Sequence, residues 1–225
     1  MAELPIIAYH MSFGAYGFWL PNDPRGSWSD YVWAERLRPF GPVTKVNTRR
    51  SLAHEKHDRE LRLAAKKALK YPPVTFTGIQ ARAVARGFAE IITKLKLAVF
   101  ATAIMPDHVH LVLARQHLHV ETIAGYLKRA ASRQLRKEGL HPFQSLKAGH
   151  VVDDVAKRSP GLNELGSLAH DGASDRLPTP WEENGWKVYL HTLDEVLHAI
   201  NYVNDNPMKA GLPRQFWPWI VPFEI

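Results

Sequence analysis

The stretch MPDHVHLVL, residues 105–113, sets His108 and His110 one residue apart in a run that otherwise reads as a buried strand. Side chains alternate between the faces of a strand, so both imidazoles project from one face and Val109, Leu111 and Leu113 from the other. Two imidazoles side by side suit a metal ion; a polar rim at the start of the strand is the plainer reading. Cysteine is absent, which excludes disulfides and thiolate sites and leaves nitrogen and oxygen donors for any metal. His117 and His119 repeat the spacing past the strand and His10 lies on the first apolar run, so a three-histidine hydrolase stays open. No acidic residue stands beside them in a general-base motif. HEKH at 54–57 spaces its histidines three apart, not four as in a helical zinc motif, and carries no weight.

A second group lies near the C-terminus. On a helix opened by Thr192-Leu193-Asp194-Glu195, residues Leu193, Val196, Leu197, Ile200 and Val203 fall on one side. His198, Tyr202 and Asn206 follow at steps of four on the opposite side, so Tyr202 stands off the apolar stripe. A helical tyrosine usually packs its ring and leaves its hydroxyl at the surface. With an amide one turn further along, this one can approach the histidine pair if the helix lies across the sheet. Tyr126 is the rival nucleophile, closer in sequence to the histidines.

These groups need elements to hold them. Residues 5–13 are rich in β-formers, and Thr77 to Gln80 fit a capping box that opens a helix over 78–95. LAVFATAI (97–104) and HVHLVLA (108–114) read as a hairpin turning at Met105-Pro106-Asp107. Val120, Ile123, Ala124, Leu127, Ala131 and Leu135 define a second helix that ends before Gly139. WKVYLH (186–191) is a fourth strand, and the Tyr202 helix must stop near Asn206-Pro207. The order β-α-β-β-α-β-α begins as the ferredoxin-like pattern does: α+β, an antiparallel sheet with helices on one face. A further, tyrosine-bearing helix follows at the C-terminus. The Pro-rich and charged segment 20–75 and the aperiodic segment 139–180 read as insertions into one domain spanning 1–225.

Composition narrows the class. A chain of 225 residues with 45% hydrophobic content can bury a core of its own. The net charge of +7 favours an anionic partner, most simply nucleic acid. No apolar run is long enough for a membrane span, and MAELPIIAYH has no secretory-leader pattern, so the expectation is a cytoplasmic protein. Arg129, Arg133 and Arg136, with Lys137 beside them, lie opposite the apolar stripe of the second helix. Such a ridge is either a solvated face or a run of phosphate contacts. Trp181, Trp186, Trp217 and Trp219 are read as packing residues rather than base-stacking ones.

MPDHVHLVL resembles the HUH motif (His, bulky hydrophobic, His) of single-tyrosine transposases. YVNDNPMKAGL (202–212) is similar to the tyrosine helix of their REP-associated branch, with its Tyr-Ile-x-x-Asn-Pro-x-x-Ala-Gly-Leu pattern. WKVYL (186–190) resembles the aromatic strand before that helix. The resemblance implies the ferredoxin-like fold and assigns Tyr202 as nucleophile, His108 and His110 as metal ligands and Asn206 as the third ligand. It implies Mg²⁺ or Mn²⁺, a 5′-phosphotyrosine intermediate with release of a 3′-hydroxyl, and single-stranded DNA with hairpin or palindromic ends as substrate. It further implies a homodimer working at the bacterial nucleoid, with Arg129, Arg133, Arg136 and Lys137 on the DNA. Asp107 stands where many relatives have Asn, a change outside the ligand set. Two other classes remain: a catalytically silent, domesticated DNA-binding protein of the same fold, and a histidine-site metal hydrolase with a structural Tyr202.

Overall fold

The computed structural model describes residues 4–23, 31–32, 34–44, 58–145 and 177–224. Its elements run β1 (Ala8–Gly14), a 3-10 helix (Glu35–Phe40), α1 (Arg59–Lys67), α2 (Gly78–Leu95), β2 (Val99–Ile104), β3 (His108–Ala114), α3 (Val120–Lys137), β4 (Trp186–Leu190) and α4 (Leu193–Lys209). The strands form one antiparallel sheet in the order β2-β3-β1-β4, the ferredoxin-like arrangement expected from the element order. Of the two segments read as insertions, the described part of 20–75 holds the 3-10 helix and α1. HEKH and residues 146–176 lie outside the described residues.

Alternation along the strands builds two cores. Tyr9, Met11 and Phe13 of β1 join Val109, Leu111 and Leu113 of β3 beneath α2 and α3. On the other face Ala8, Ala101, Ala103 and Val112 meet Val196, Ala199 and Val203 of α4. The second face is lined largely by alanine, so α4 can come close to the strands. That helix therefore covers the side of the sheet that α2 and α3 leave free.

Local signals explain where the helices begin and end. The Thr77 hydroxyl accepts from Gln80 N–H at 3.3 Å while the Gln80 side chain accepts from Thr77 N–H at 2.9 Å, a complete capping box. At α4 the box is only half formed. Thr192 Oγ1 accepts from Glu195 N–H, but the Glu195 carboxylate accepts from His191 N–H. The stop expected at Asn206-Pro207 also gives way: α4 runs on to Lys209, and Gly211 at φ 72° lets Leu212 N–H reach Pro207 O at 2.8 Å.

The apolar stripe of α4 differs from the expected one. Its buried residues are Val196, Ala199, Val203 and Pro207, while Leu193 and Leu197 are 42% and 36% exposed. The alanine-lined sheet favours the small Ala199 at the contact, which turns the helix about its axis. The turn carries Tyr202 and Asn206 from the far side of α4 to its flank, beside the strands.

Helix α2 crosses α3 where Gly87 faces Ala131, and a Cβ at Gly87 would lie 2.7 Å from the Ala131 backbone. Backbone cannot yield as a flexible side chain can. Gly87→Val is therefore expected to destabilise the fold by about 1–3 kcal/mol, read as a lowered urea midpoint at unchanged m-value.

Candidate functional site

Pairing between β1 and β3 sets Ser12 opposite His110, Gly14 opposite His108 and His10 opposite Val112. His10, His108 and His110 consequently share the face that α4 covers. The rings of His108 and His110 are 4.8 Å apart and nearly perpendicular. His10 Nε2 lies 3.2 Å from His110 Nδ1, and His108 Nδ1 lies 2.7 Å from the Asp107 carboxylate.

Tyr202 reaches this cluster within the same chain. Its ring centroid is 5.5 Å from that of His110 and 5.7 Å from that of His10, edge-on to both. The tyrosine is 42% exposed whereas His110 is only 8% exposed, so the cluster is closed on the sheet side and open toward solvent at the phenol. Asn206 sits one turn beyond Tyr202, its Nδ2 buried and without a hydrogen-bond partner among the described residues. Amide oxygen and nitrogen are assigned from their surroundings, so this group can turn either an oxygen or an N–H toward a ligand. Lys209 Nζ stands 5.8 Å from the Tyr202 ring centroid and 3.8 Å from Asp205.

Burial governs the charge of the histidines. It pushes His10 down to about 4, with the ring held neutral at physiological pH. Burial, with added repulsion from His108 and His10, pushes His110 well below the usual imidazole range. Neutral imidazoles keep lone pairs available to a cation.

The walls come from residues that sequence reading did not single out or set aside. Phe18 packs 4.9 Å from His108, which is possible because residue 14 is glycine: a Cβ there would meet Phe18 at 2.6 Å. Trp186 stands edge-on to His10 at 5.3 Å, so its place is beside the site. Trp181 is core, between Phe13 and Phe76, with its indole N–H donating to Ser132 Oγ at 3.1 Å. Trp217 and Trp219 stack on each other at 5.3 Å, and the Trp217 indole donates to Thr102 O.

Other residues of chemical interest lie elsewhere. Helix α3 occupies the opposite face of the sheet, and with it Arg129, Arg133, Arg136 and Lys137. Arg133 pairs with Glu90 at 2.9 Å and Arg129 lies over the Tyr126 ring at 4.9 Å. Tyr126 is thus on the far side of the sheet from the histidines. His119 is the N-cap of α3. Among the described residues, no three His, Asp or Glu side chains gather into a metal-holding group. No helix among them is long and apolar enough to cross a membrane.

A model of the family described as IS200-like transposases matches residues 43–151, which contain β2, β3 and both histidines of the pair. Over that segment, just under half of its length, the chain is similar to the IS200-like transposase family. Tyr202 lies beyond the matched segment, and its helix is joined to the histidine strand by geometry. Among solved structures, the chain resembles a REP-associated tyrosine transposase bound to a REP hairpin: TM-score 0.44, 8% identity, 95% of this chain and 74% of that one. It also resembles a transposase candidate from Deinococcus radiodurans R1, with TM-score 0.35, 14% identity, 91% of this chain and 94% of that one. No curated protein matches the chain.

The loops flanking the site are tied to each other and to α3. Glu182 accepts from Gly17 N–H at 2.8 Å, and Lys128 Nζ donates to the carbonyls of Glu182, Glu183 and Asn184 at 2.8, 3.2 and 3.2 Å. These bonds hold residues 15–19, which carry Phe18, against the start of β4, which carries Trp186. Lys128→Met keeps the aliphatic stem and removes the donor. The expected cost is about 1–3 kcal/mol, measured by chemical denaturation.

Proposed function

We propose that this protein is a transposase of the single-tyrosine type that cleaves and rejoins single-stranded DNA through Tyr202, with a divalent cation held by His108, His110 and Asn206. One observation carries the reading: the Tyr202 ring lies 5.5 Å from that of His110, in one chain, on a face otherwise packed with apolar side chains. A silent DNA-binding protein would not need that convergence. A three-histidine hydrolase is disfavoured because His117 and His119 belong to the approach and cap of α3, and His10, His108 and His110, though neighbours, do not gather into a metal-holding group.

The donor set suits Mg²⁺ or Mn²⁺. Two neutral imidazoles and an amide leave the ion its full charge, and nitrogen ligands favour Mn²⁺. The Asn206 amide supports this fit when turned so that its oxygen, in place of the partnerless Nδ2, faces the ion. When bound, the cation polarises the scissile phosphate.

The chain's own residues supply the rest. A free phenol holds its proton to about pH 10, so attack needs an oriented hydroxyl and a polarised phosphorus. Tyr202 Oη forms a bond to phosphorus as the bond from phosphorus to O3′ breaks. The phenolic proton passes to solvent at the open side, and the departing 3′ oxygen takes up a proton. The product is a 5′-phosphotyrosine and a free 3′-hydroxyl, and the reverse attack by another 3′-hydroxyl transfers the strand. The covalent link conserves the bond, so no outside energy source is needed. Hairpin or palindromic ends as substrate, and a homodimer as the working form, rest on the motif resemblance to the REP-associated branch. On this reading Lys209 is a cation beside the nucleophile, 5.8 Å from its ring centroid, and the α3 residues Arg129, Arg133, Arg136 and Lys137 contact DNA away from the cut.

The test is a denaturing gel with labelled single-stranded hairpin oligonucleotides and Mg²⁺ or Mn²⁺. A slow-migrating adduct is expected for the wild type with metal and is lost in Tyr202→Phe and in His108→Ala. Salt-sensitive DNA binding with no adduct from any hairpin would contradict cleavage and favour the silent binding protein.

A further inference from the structure

Both histidines of the pair have Nδ1 engaged, by different partners. At His108 the partner is the Asp107 carboxylate, 2.7 Å away. A carboxylate only accepts, so His108 carries a proton on Nδ1, and Nε2 is the nitrogen left to meet a cation. At His110 the partner is His10 Nε2, 3.2 Å away on the neighbouring strand. One ring must donate to the other. If His10 donated, His110 would carry its own proton on Nε2 and lose the nitrogen that a cation needs. If His110 donates, its Nε2 is free and matches that of His108.

We propose that His10 is a positioning residue: it accepts the Nδ1–H of His110 and fixes that ring so that both histidines offer Nε2 to one cation. The setting suits a fixed acceptor. His10 is only 6% exposed, and the edge of Trp186 and the ring of Tyr202 stand 5.3 and 5.7 Å from it, so it cannot readily turn to water. The strand register fixes its distance from His110. An outer acceptor on the second ring nitrogen is the usual means of orienting a metal-bound imidazole. In this chain Asp107 serves His108 in the same way, which gives the residue set aside in the sequence a role.

This inference rests on reading His108 and His110 as cation ligands, and the two ideas separate in the test. Nitrogen-15 NMR of the metal-free protein reports which ring nitrogen of His110 is protonated. Nδ1–H is expected; Nε2–H would overturn the proposal. Mn²⁺ binding, followed by the loss of free-ion EPR signal, is expected to weaken roughly 10- to 100-fold in His10→Phe. It should largely return in His10→Gln, whose amide oxygen again accepts. Wild-type affinity in a folded His10→Phe would also overturn it. A wild type that binds no Mn²⁺ would instead sink the cation reading, while the NMR result would still decide which ring donates.

Discussion

The antiparallel register between β1 and β3 is the constraint on which the site depends. It sets Gly14 against His108 and Ser12 against His110, and brings His10 within hydrogen-bonding reach of His110 from the next strand. A shift of one residue would send His10 to the opposite face, into the core beneath α2 and α3. The register is held from that core: Met11, Phe13, Val109 and Leu111 are each at most 2% exposed and alternate with the polar positions. Packing on one face thus secures chemistry on the other.

The second face is built for close approach. Ala8, Ala101 and Ala103 let α4 settle near the strands, and larger residues would hold it further out. Nearness and rotation together bring Tyr202 to the histidines while its outer edge stays in solvent. The arrangement has costs that a purely structural face would avoid. Two histidines are buried without charge, and an asparagine Nδ2 lies buried with no partner among the described residues. Local departures from good packing of this kind concentrate where a ligand is handled.

Much of this was legible in the chain. The capping box at Thr77, the hairpin and the helical periodicities imply the element order, and the alternation in MPDHVHLVL by itself pairs the two histidines on one face. Three things were not legible. A helical wheel marks the outward side of α3 but not which face of the sheet α3 covers, so the sequence does not show that the basic ridge and the histidines lie on opposite faces. The α4 stripe was assigned to the larger residues Leu193 and Leu197, because the alanines that favour Ala199 at the contact are distant in sequence. His10 was weighed only for a rival site, since its partnership with His110 spans 100 residues and exists only through strand register. Tyr202 and Asn206 were found through their spacing and motif, and their nearness to the sheet follows from the rotation of α4.

The central claim is that a strand end is transferred to Tyr202. Mass spectrometry of the isolated protein–DNA adduct, after nuclease trimming and proteolysis, addresses it most directly. The account predicts a residual 5′-linked nucleotide on the Tyr202 hydroxyl, in the peptide that follows Lys187 and ends at Lys209. A nucleotide on Tyr126, on Tyr189 of that same peptide, or on any other side chain would contradict it.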